Sequence, residues 1–354
     1  MKYWRWLLCG CVLLQVNTTQ CDTTALLLDP DIQRGVQLAP FRTTTSSPRF
    51  ITRNTFNPTC LPTTDCSQHP TWVLQQWHTA QDIAAATPHT DTHGDTVWQL
   101  YDAQGRWQKQ LQLGSGGAML GLNGLSEFAA QNNNGIPTYL PDLRSPWPHL
   151  LLSQDTQSER LSHYAALPLH IRFRITEDTP QSTADMNPAL HAARLVLALT
   201  VRNRLSGNFF WITVPLYDSR TPSSGFGCNK CDAAGRHCYT PHTLTDPGYW
   251  HCPEDRAGEA WWKNDKPGTG RMIFRIPTAA LVQPQTEGWQ LATGDVLPYV
   301  QAGLEAARQR ANGKRFPKDL FFYELGRLSL GWEITGFNRA RAQFTTVQLY
   351  GETK

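Results

Sequence analysis

The stretch Leu167-Pro168-Leu169-His170-Ile171-Arg172-Phe173-Arg174-Ile175-Thr176 decides how the chain folds. Leu169, Ile171, Phe173 and Ile175 fall on one side of an extended backbone; His170, Arg172 and Arg174 fall on the other. Strand side chains alternate with period two, so this is a strand with one face in a core and the other toward water. Further on, 195–201 and 209–217 are apolar enough to be central strands of a sandwich, and Asn203-Arg204-Leu205-Ser206-Gly207-Asn208 supplies the turn between them. The segments 271–276, 320–325, 327–334 and 341–349 read as strands too. In the last, Phe344 and the Val347/Leu349 pair have opposite parity, and a bulge near Thr345 reconciles them.

Toward the N-terminus, 96–101 and 106–113 flank Asp102-Ala103-Gln104-Gly105, a hairpin signal. Residues 113–135, rich in Gly and Asn, read as loop, and Trp72, Gln76, Thr79 and Ile83 give 72–86 a helical spacing. The clear helix is 296–310, where Val296, Val300, Leu304 and Ala307 recur on one face and Gly313 follows the end. Many strands, one or two helices and long loops predict a mainly β protein. The expected architecture is a two-sheet antiparallel β-sandwich, jelly-roll or concanavalin-like, with a disulfide-stapled insertion.

Composition narrows the class. Charged residues make up 17% of the 354 residues, below the usual quarter, with 26 Gly, 24 Pro and 13 Trp. A net charge of +3 is too small to imply a nucleic-acid partner. The chain opens Met1-Lys2-Tyr3-Trp4-Arg5, then runs apolar through Trp6-Leu7-Leu8-Cys9-Gly10-Cys11-Val12-Leu13-Leu14. That run is shorter than the roughly 20 residues a bilayer needs, and matches a secretory leader. Thr23-Thr24-Ala25 offers a small-residue cleavage site, giving a signal peptide over 1–25. Leu8-Cys9-Gly10-Cys11 and Cys21 leave lipid anchoring at an outer membrane as the rival. The rest divides into an extended arm (26–95) and a β-sandwich domain (96–354) with an insertion at 218–270. The expected location is secreted or periplasmic.

Cleavage after Ala25 leaves Cys60, Cys66, Cys228, Cys231, Cys238 and Cys252, an even number suited to disulfides in an oxidising compartment. The last four read C-x2-C-x6-C-x13-C. Four thiolates also suit structural zinc, with His237 and His251 as further ligands, but the wide last spacing is unlike a zinc ribbon. Disulfides are therefore expected, with zinc as the minority alternative and no other cofactor.

The tail Leu328-Ser329-Leu330-Gly331-Trp332-Glu333-Ile334-Thr335-Gly336 resembles the closing strands of bacterial secreted jelly-roll or concanavalin-like sandwiches. Ser145-Pro146-Trp147-Pro148-His149-Leu150-Leu151-Leu152 and Phe209-Phe210-Trp211-Ile212-Thr213-Val214-Pro215-Leu216-Tyr217-Asp218 are similar in character. The resemblance covers the chain from about residue 140 and implies a glycan-related role. It transfers no catalytic residue: the E-x-D-x-x-E strand of one glycosidase family on this fold is absent, and Glu254-Asp255-Arg256-Ala257-Gly258-Glu259 has the wrong spacing.

Three groups are candidates for chemistry. In His89-Thr90-Asp91-Thr92-His93-Gly94-Asp95, an extended backbone would put His89, Asp91, His93 and Asp95 on one face as metal ligands; the plainer reading is a solvated loop. Tyr249, Trp250, Trp261 and Trp262 surround Cys252 and would stack on sugar rings as ligand-binding residues, or cover the stapled loop as a small core. Asp218, Glu333 and Glu324 are the catalytic candidates, because a glycosidase needs two carboxylates about 5–10 Å apart. Trp211, Trp332 and Phe322 lie in strong strand patterns and read as core. No G-x-S-x-G, H-E-x-x-H or P-loop occurs. The resulting expectation is a secreted or envelope sandwich with a non-catalytic carbohydrate-binding role toward a glycan or cell-surface polysaccharide. The alternatives are a glycan-degrading enzyme, hydrolase or lyase, on the same fold, and a structural protein with an envelope protein partner.

Overall fold

The structure is a computed structural model that describes residues 22–39, 54–56, 70–131, 136–138, 147–181, 186, 191–219, 273–276, 278–310 and 316–354. Its strands in chain order are β1 (Thr23–Ala25), β2 (Val36–Leu38), β3 (Asn54–Phe56), β4 (Trp72–Trp77), β5 (His89–Thr90) and β6 (Thr96–Tyr101). Then come β7 (Trp107–Gly114), β8 (Gly117–Asn123), β9 (His149–Asp155), β10 (Tyr164–Ala166), β11 (Pro168–Pro180) and β12 (Ala193–Asn203). The chain closes with β13 (Phe209–Asp218), β14 (Ile273–Arg275), β15 (Val282–Pro284), β16 (Trp289–Asp295), β17 (Tyr323–Ile334) and β18 (Asn338–Thr353). Among the described residues the α-helices are α1 (Gly124–Gln131), α2 (Thr278–Leu281) and α3 (Leu297–Arg310).

Two sheets form the expected sandwich. One runs β15-β16-β11-β18-β8-β7-β6-β5, with β1 and β10 paired to β18; the other runs β14-β13-β12-β17-β9-β4-β2-β3. The segment expected as an arm thus supplies β2, β3, β4 and β5 to the sheets. β1, at the expected cleavage site, pairs antiparallel with β18.

The opening stretch becomes β11, with Leu169, Ile171 and Phe173 buried as the alternation requires. In the other sheet Leu328, Leu330 and Trp332 of β17 are buried too. The Trp332 indole N–H donates to Leu120 O at 3.0 Å, joining the two sheets through the core. Fully burying such side chains stabilises by about 1.5–3 kcal/mol each. A one-residue slip of β11 would turn all of them to solvent, which pins the register. The bulge at Thr345 is present: Arg172 pairs with Thr346 and Phe173 with Phe344, so Thr345 is the extra residue and the parity of β18 flips there.

Helix α3 lies where the periodicity placed it, with Val300, Leu304 and Ala307 buried. Asp295 Oδ1 accepts from Leu297 N at 2.9 Å and from Leu167 N at 2.7 Å, so one carboxylate caps the helix and ties it to the chain entering β11. A Cβ on Gly303 would come within 2.8 Å of Phe210, so glycine lets α3 lie close against β13.

Two local expectations are corrected. The 72–86 segment begins as strand β4, because Trp72, Leu74 and Gln76 share its buried side with period two; only Ile83–Ala85 is helical, as a 3-10 turn. The Gly-rich 113–135 segment holds β8 and α1. Ala118, Leu120 and Leu122 of β8 alternate into the core. Gly117, at φ +90°, serves the β7–β8 hairpin, where a Cβ would lie 2.0 Å from Phe344 O. Trp332 is core, whereas Trp211 and Phe322 are half-buried, Trp211 on the outer side of β13 beside Phe209. Among the described residues no helix is long and apolar enough to cross a membrane.

Candidate functional site

The outer face of the eight-stranded sheet carries a polar row at one end. Antiparallel pairing sets Asp218 of β13 opposite Arg194 of β12, Arg194 opposite Glu333 of β17, Glu333 opposite His149 of β9, and His149 opposite Trp77 of β4. Five consecutive strands thus present one residue each. The pattern follows from parity: Leu195, Trp332 and Leu150, one position along, all point into the core.

Glu333 is the centre of the row. Its Oε2 lies 3.0 Å from Arg194 Nη2 and its Oε1 3.4 Å from His149 Nε2. The carboxyl side chain is 23% exposed, while the Arg194 and His149 side chains are 10% and 11% exposed. Burial pushes the Glu333 carboxyl up, but the Arg194 charge and the bond and charge of His149 outweigh it and hold it at about 2. Glu333 is therefore an anion over the whole physiological range.

His149 is oriented from behind. Its Nδ1 lies 2.7 Å from Trp147 O, and a carbonyl only accepts, so Nδ1 carries a proton and Nε2 is the nitrogen that faces Glu333. Trp147 stacks on the His149 ring at 5.5 Å, and the Arg194 guanidinium lies 5.8 Å from the same indole. Trp77 and His78 flank His149 from the other side, with ring centroids 5.7 and 6.2 Å away. Burial and the neighbouring His149 push the His78 ring below its ordinary value. Two buried donors of the cluster, Trp147 Nε1 and Arg194 Nε, have no hydrogen-bond acceptor among the described residues.

At the other end of the row, Asp218 is 1% exposed. It lies beside Asp178, which accepts from Tyr217 OH at 2.6 Å and Asn338 Nδ2 at 2.8 Å. Burial pushes the Asp178 carboxyl up, and the Asp218 and Glu177 charges add to the rise against those two bonds. Two strand spacings separate Asp218 from Glu333, about 10 Å between their backbones.

The structure therefore brings two of the three catalytic candidates into one row. Glu324 lies elsewhere, at the opposite end of β17, bonded to Arg202 and with Arg204 Nε at 3.1 Å from its Oε2. The metal face that His89, Asp91, His93 and Asp95 offered as the lesser reading is not formed. Asp91 N bonds Asp95 O at 2.9 Å and Gly94 turns the chain at φ +85°, so the segment is a turn and the period-two premise fails. The Asp91 and Asp95 carboxylates both accept from Gln112 Nε2 at 3.0 Å, and His89 and His93 are exposed. Among the described residues no group of three or more metal-ligating side chains gathers. Tyr249, Trp250, Trp261, Trp262 and the six cysteines Cys60, Cys66, Cys228, Cys231, Cys238 and Cys252 lie outside the described residues.

Arg194, His149, Trp147, Trp77 and His78 were missed from sequence. Arg194 and His149 had a usable signal: each immediately precedes an apolar run that alternates into the core, which puts it on the outward face.

No family model matches the chain, and no curated protein matches it. Among solved structures, a family 12 xyloglucanase from Bacillus licheniformis is similar at 10% identity and a TM-score of 0.36, covering 75% of this chain and 96% of its own. The xyloglucanase domain of NopAA, an effector from Sinorhizobium fredii in complex with cellobiose, is similar at 11% identity and a TM-score of 0.37, covering 76% and 96%. An endoglucanase from Rhodothermus marinus is similar at 10% identity and a TM-score of 0.32, covering 75% and 96%. Such likeness transfers no residue and no substrate to this chain. The expectation of a non-catalytic carbohydrate-binding protein is nonetheless corrected, because the similar structures are glycoside hydrolases rather than binding modules, which is the direction of the alternative reading.

Proposed function

We propose that the protein is a glycan-degrading enzyme of hydrolase type whose working groups lie on the outer face of the eight-stranded sheet. The observation that carries this reading is the row Asp218–Arg194–Glu333–His149. Hydrolysis of a glycosidic bond needs one carboxylate that stays ionised and one carboxyl that delivers a proton, on either side of the bond. Glu333, held at about 2 by Arg194 and His149, fills the first role. Asp218, the other carboxyl of the row, fills the second. A backbone separation of about 10 Å leaves room for the side chains to bracket a sugar and a water.

Arg194 and His149 orient Glu333, and the Trp147 and Trp77 rings offer the apolar faces that sugar rings stack on. The acceptor-free Trp147 and Arg194 donors support the same reading, since sugar hydroxyls would complete them. The basic, apolar N-terminal run supports action outside the cytoplasm on an extracellular or envelope polysaccharide. Retention of β1 in its sheet favours cleavage of the leader before Thr23.

The test is reducing-sugar release from a panel of neutral and acidic polysaccharides by the wild type, Glu333→Gln and Asp218→Asn. Release by the wild type and its loss in both variants supports the reading. Full activity in either variant removes that residue's role, and no release from any member of the panel removes the function. Products carrying a new double bond would mean elimination instead of hydrolysis.

A further inference from the structure

A buried ion pair sits behind the wall of this site, and hydrolysis makes no use of it. Lys109 of β7 and Glu127 of α1 both have fully buried side chains, with Nζ and Oε1 3.6 Å apart. Both also bond one short strap, residues 78–82, that leaves β4. Glu127 Oε2 accepts from Ala80 N at 2.5 Å, and Lys109 Nζ donates to Gln81 O. Gln131, one helical turn beyond Glu127, donates from Nε2 to His78 O at 2.7 Å. Lys109 also donates to Gln76 Oε1 at 3.0 Å, and Gln76 holds Asp82 Oδ1 at 2.8 Å. Three successive stretches of strap backbone are thus gripped by α1 and β7.

The strap begins with a strained residue. His78 has φ +52°, a left-handed conformation that a non-glycine residue seldom adopts. Such strain persists only where the surroundings over-determine the backbone, and here the grip on the His78 carbonyl and on Ala80 does so. Its consequence is to set the His78 imidazole beside His149 at the end of the polar row.

We propose that Lys109, Glu127 and Gln131 are positioning residues, a clamp whose task is to hold His78 and Trp77 against His149 and so to fix the wall of the site. The importance of that wall for catalysis rests on the glycan-cleaving reading; the clamp itself does not. From the site side, His78 meets His149, with Glu333 and Arg194 behind it. From the clamp side it is backed by the strap that Asp82, Glu127 and Lys109 hold.

The experiment follows the carbon-bound imidazole protons of the full chain by NMR through a pH titration, in the wild type, Glu127→Gln and Gln131→Ala. In the wild type His78 titrates below an exposed histidine, as its burial beside His149 requires. In both variants the strap loosens and the His78 titration moves toward that of an exposed histidine, while far-ultraviolet dichroism shows the fold intact. A purely structural ion pair would lower the melting temperature and leave the His78 titration where it was, and that result overturns the clamp. Gln131, on the exposed side of α1, keeps the test decisive if Glu127→Gln does not fold. On a polysaccharide that the wild type cleaves, the clamp variants lose roughly tenfold to a hundredfold in kcat/KM. A wild type inert toward every polysaccharide sinks the enzyme reading, and the titration still decides the clamp.

Discussion

Two carboxylate–cation clusters lie on either side of His78, and their chemistry runs in opposite directions. At Lys109–Glu127 both side chains are 0% exposed, and one cation at 3.6 Å faces one carboxylate. Burial pushes Glu127 up and Lys109 down, so each group is driven toward its neutral form. At Glu333 the carboxylate has the Arg194 guanidinium at 3.0 Å and the His149 ring at 3.4 Å, and it keeps some contact with water. There the attraction outweighs desolvation and the anion is held at about 2. The number of basic partners per carboxylate and the access of water decide the difference. A dry one-to-one pair whose further bonds grip the chain around 76–82 organises the backbone. A two-to-one cluster at an outer face leaves an oriented anion for chemistry.

The comparison breaks most readily at Glu333. Glu333→Gln keeps the shape and removes the charge, so it is expected to lower kcat on a cleaved polysaccharide by about 10²–10⁴-fold, with the fold retained in far-ultraviolet dichroism. Activity within a few-fold of wild type would place the ionised carboxylate elsewhere. The same type of change at the dry pair shows up as stability instead. Glu127→Ala leaves the Lys109 charge buried and Ala80 N–H without its acceptor, and should cost about 3–5 kcal/mol in urea unfolding. A cost below about 1 kcal/mol is the range of exposed pairs, and would show that the two clusters do not differ as argued.

Acid sharpens the contrast. The Glu333 carboxyl is depressed from its ordinary 4.5 to about 2, so the folded state binds its proton more weakly than the unfolded chain does. Its contribution to stability, on the order of 3 kcal/mol, is therefore complete above about pH 4.5 and is lost as the pH falls toward 2. The Glu333→Gln variant has no such group. Its stability should fall less steeply than the wild type's between those pH values, and identical slopes would contradict the depressed carboxyl.

The sandwich was legible in the sequence because period-two alternation records burial directly. Leu169, Ile171 and Phe173 declared β11, and the parity break at Thr345 declared the bulge in β18. Elements with other constraints were hidden. Gly117 reads as loop, yet it is glycine because the hairpin brings Phe344 O against it. Gln76 reads as one step of a helical pattern, yet it is a buried hub for Lys109, Asp82 and Ile83. The site was half legible for a related reason. Carboxylates announce themselves in a sequence, so Asp218 and Glu333 could be singled out. Their neighbours could not, because Arg194 and His149 lie far from them along the chain, and only the strand order β13-β12-β17-β9 aligns them. Glu324 was indistinguishable from Glu333 in sequence, since both are glutamates on a strand pattern.

Glu324 supplies the mildest test of the comparison, and the one that isolates position from residue type. It pairs with Arg202 and Arg204, whose side chains are 55% and 41% exposed. Like Glu333 it is a β17 glutamate with two basic partners, but it sits roughly 30 Å along the strand at 3.3 Å per residue. Its cations are open to water, where ion pairs stabilise by under about 1 kcal/mol and are screened by salt. Glu324→Gln should therefore change stability by less than about 1 kcal/mol at moderate salt and leave polysaccharide cleavage at the wild-type rate. If it abolished cleavage while Glu333→Gln did not, the working carboxylate would lie at the Arg202 end of the sheet. What separates the two glutamates would then be something other than the row of Arg194 and His149.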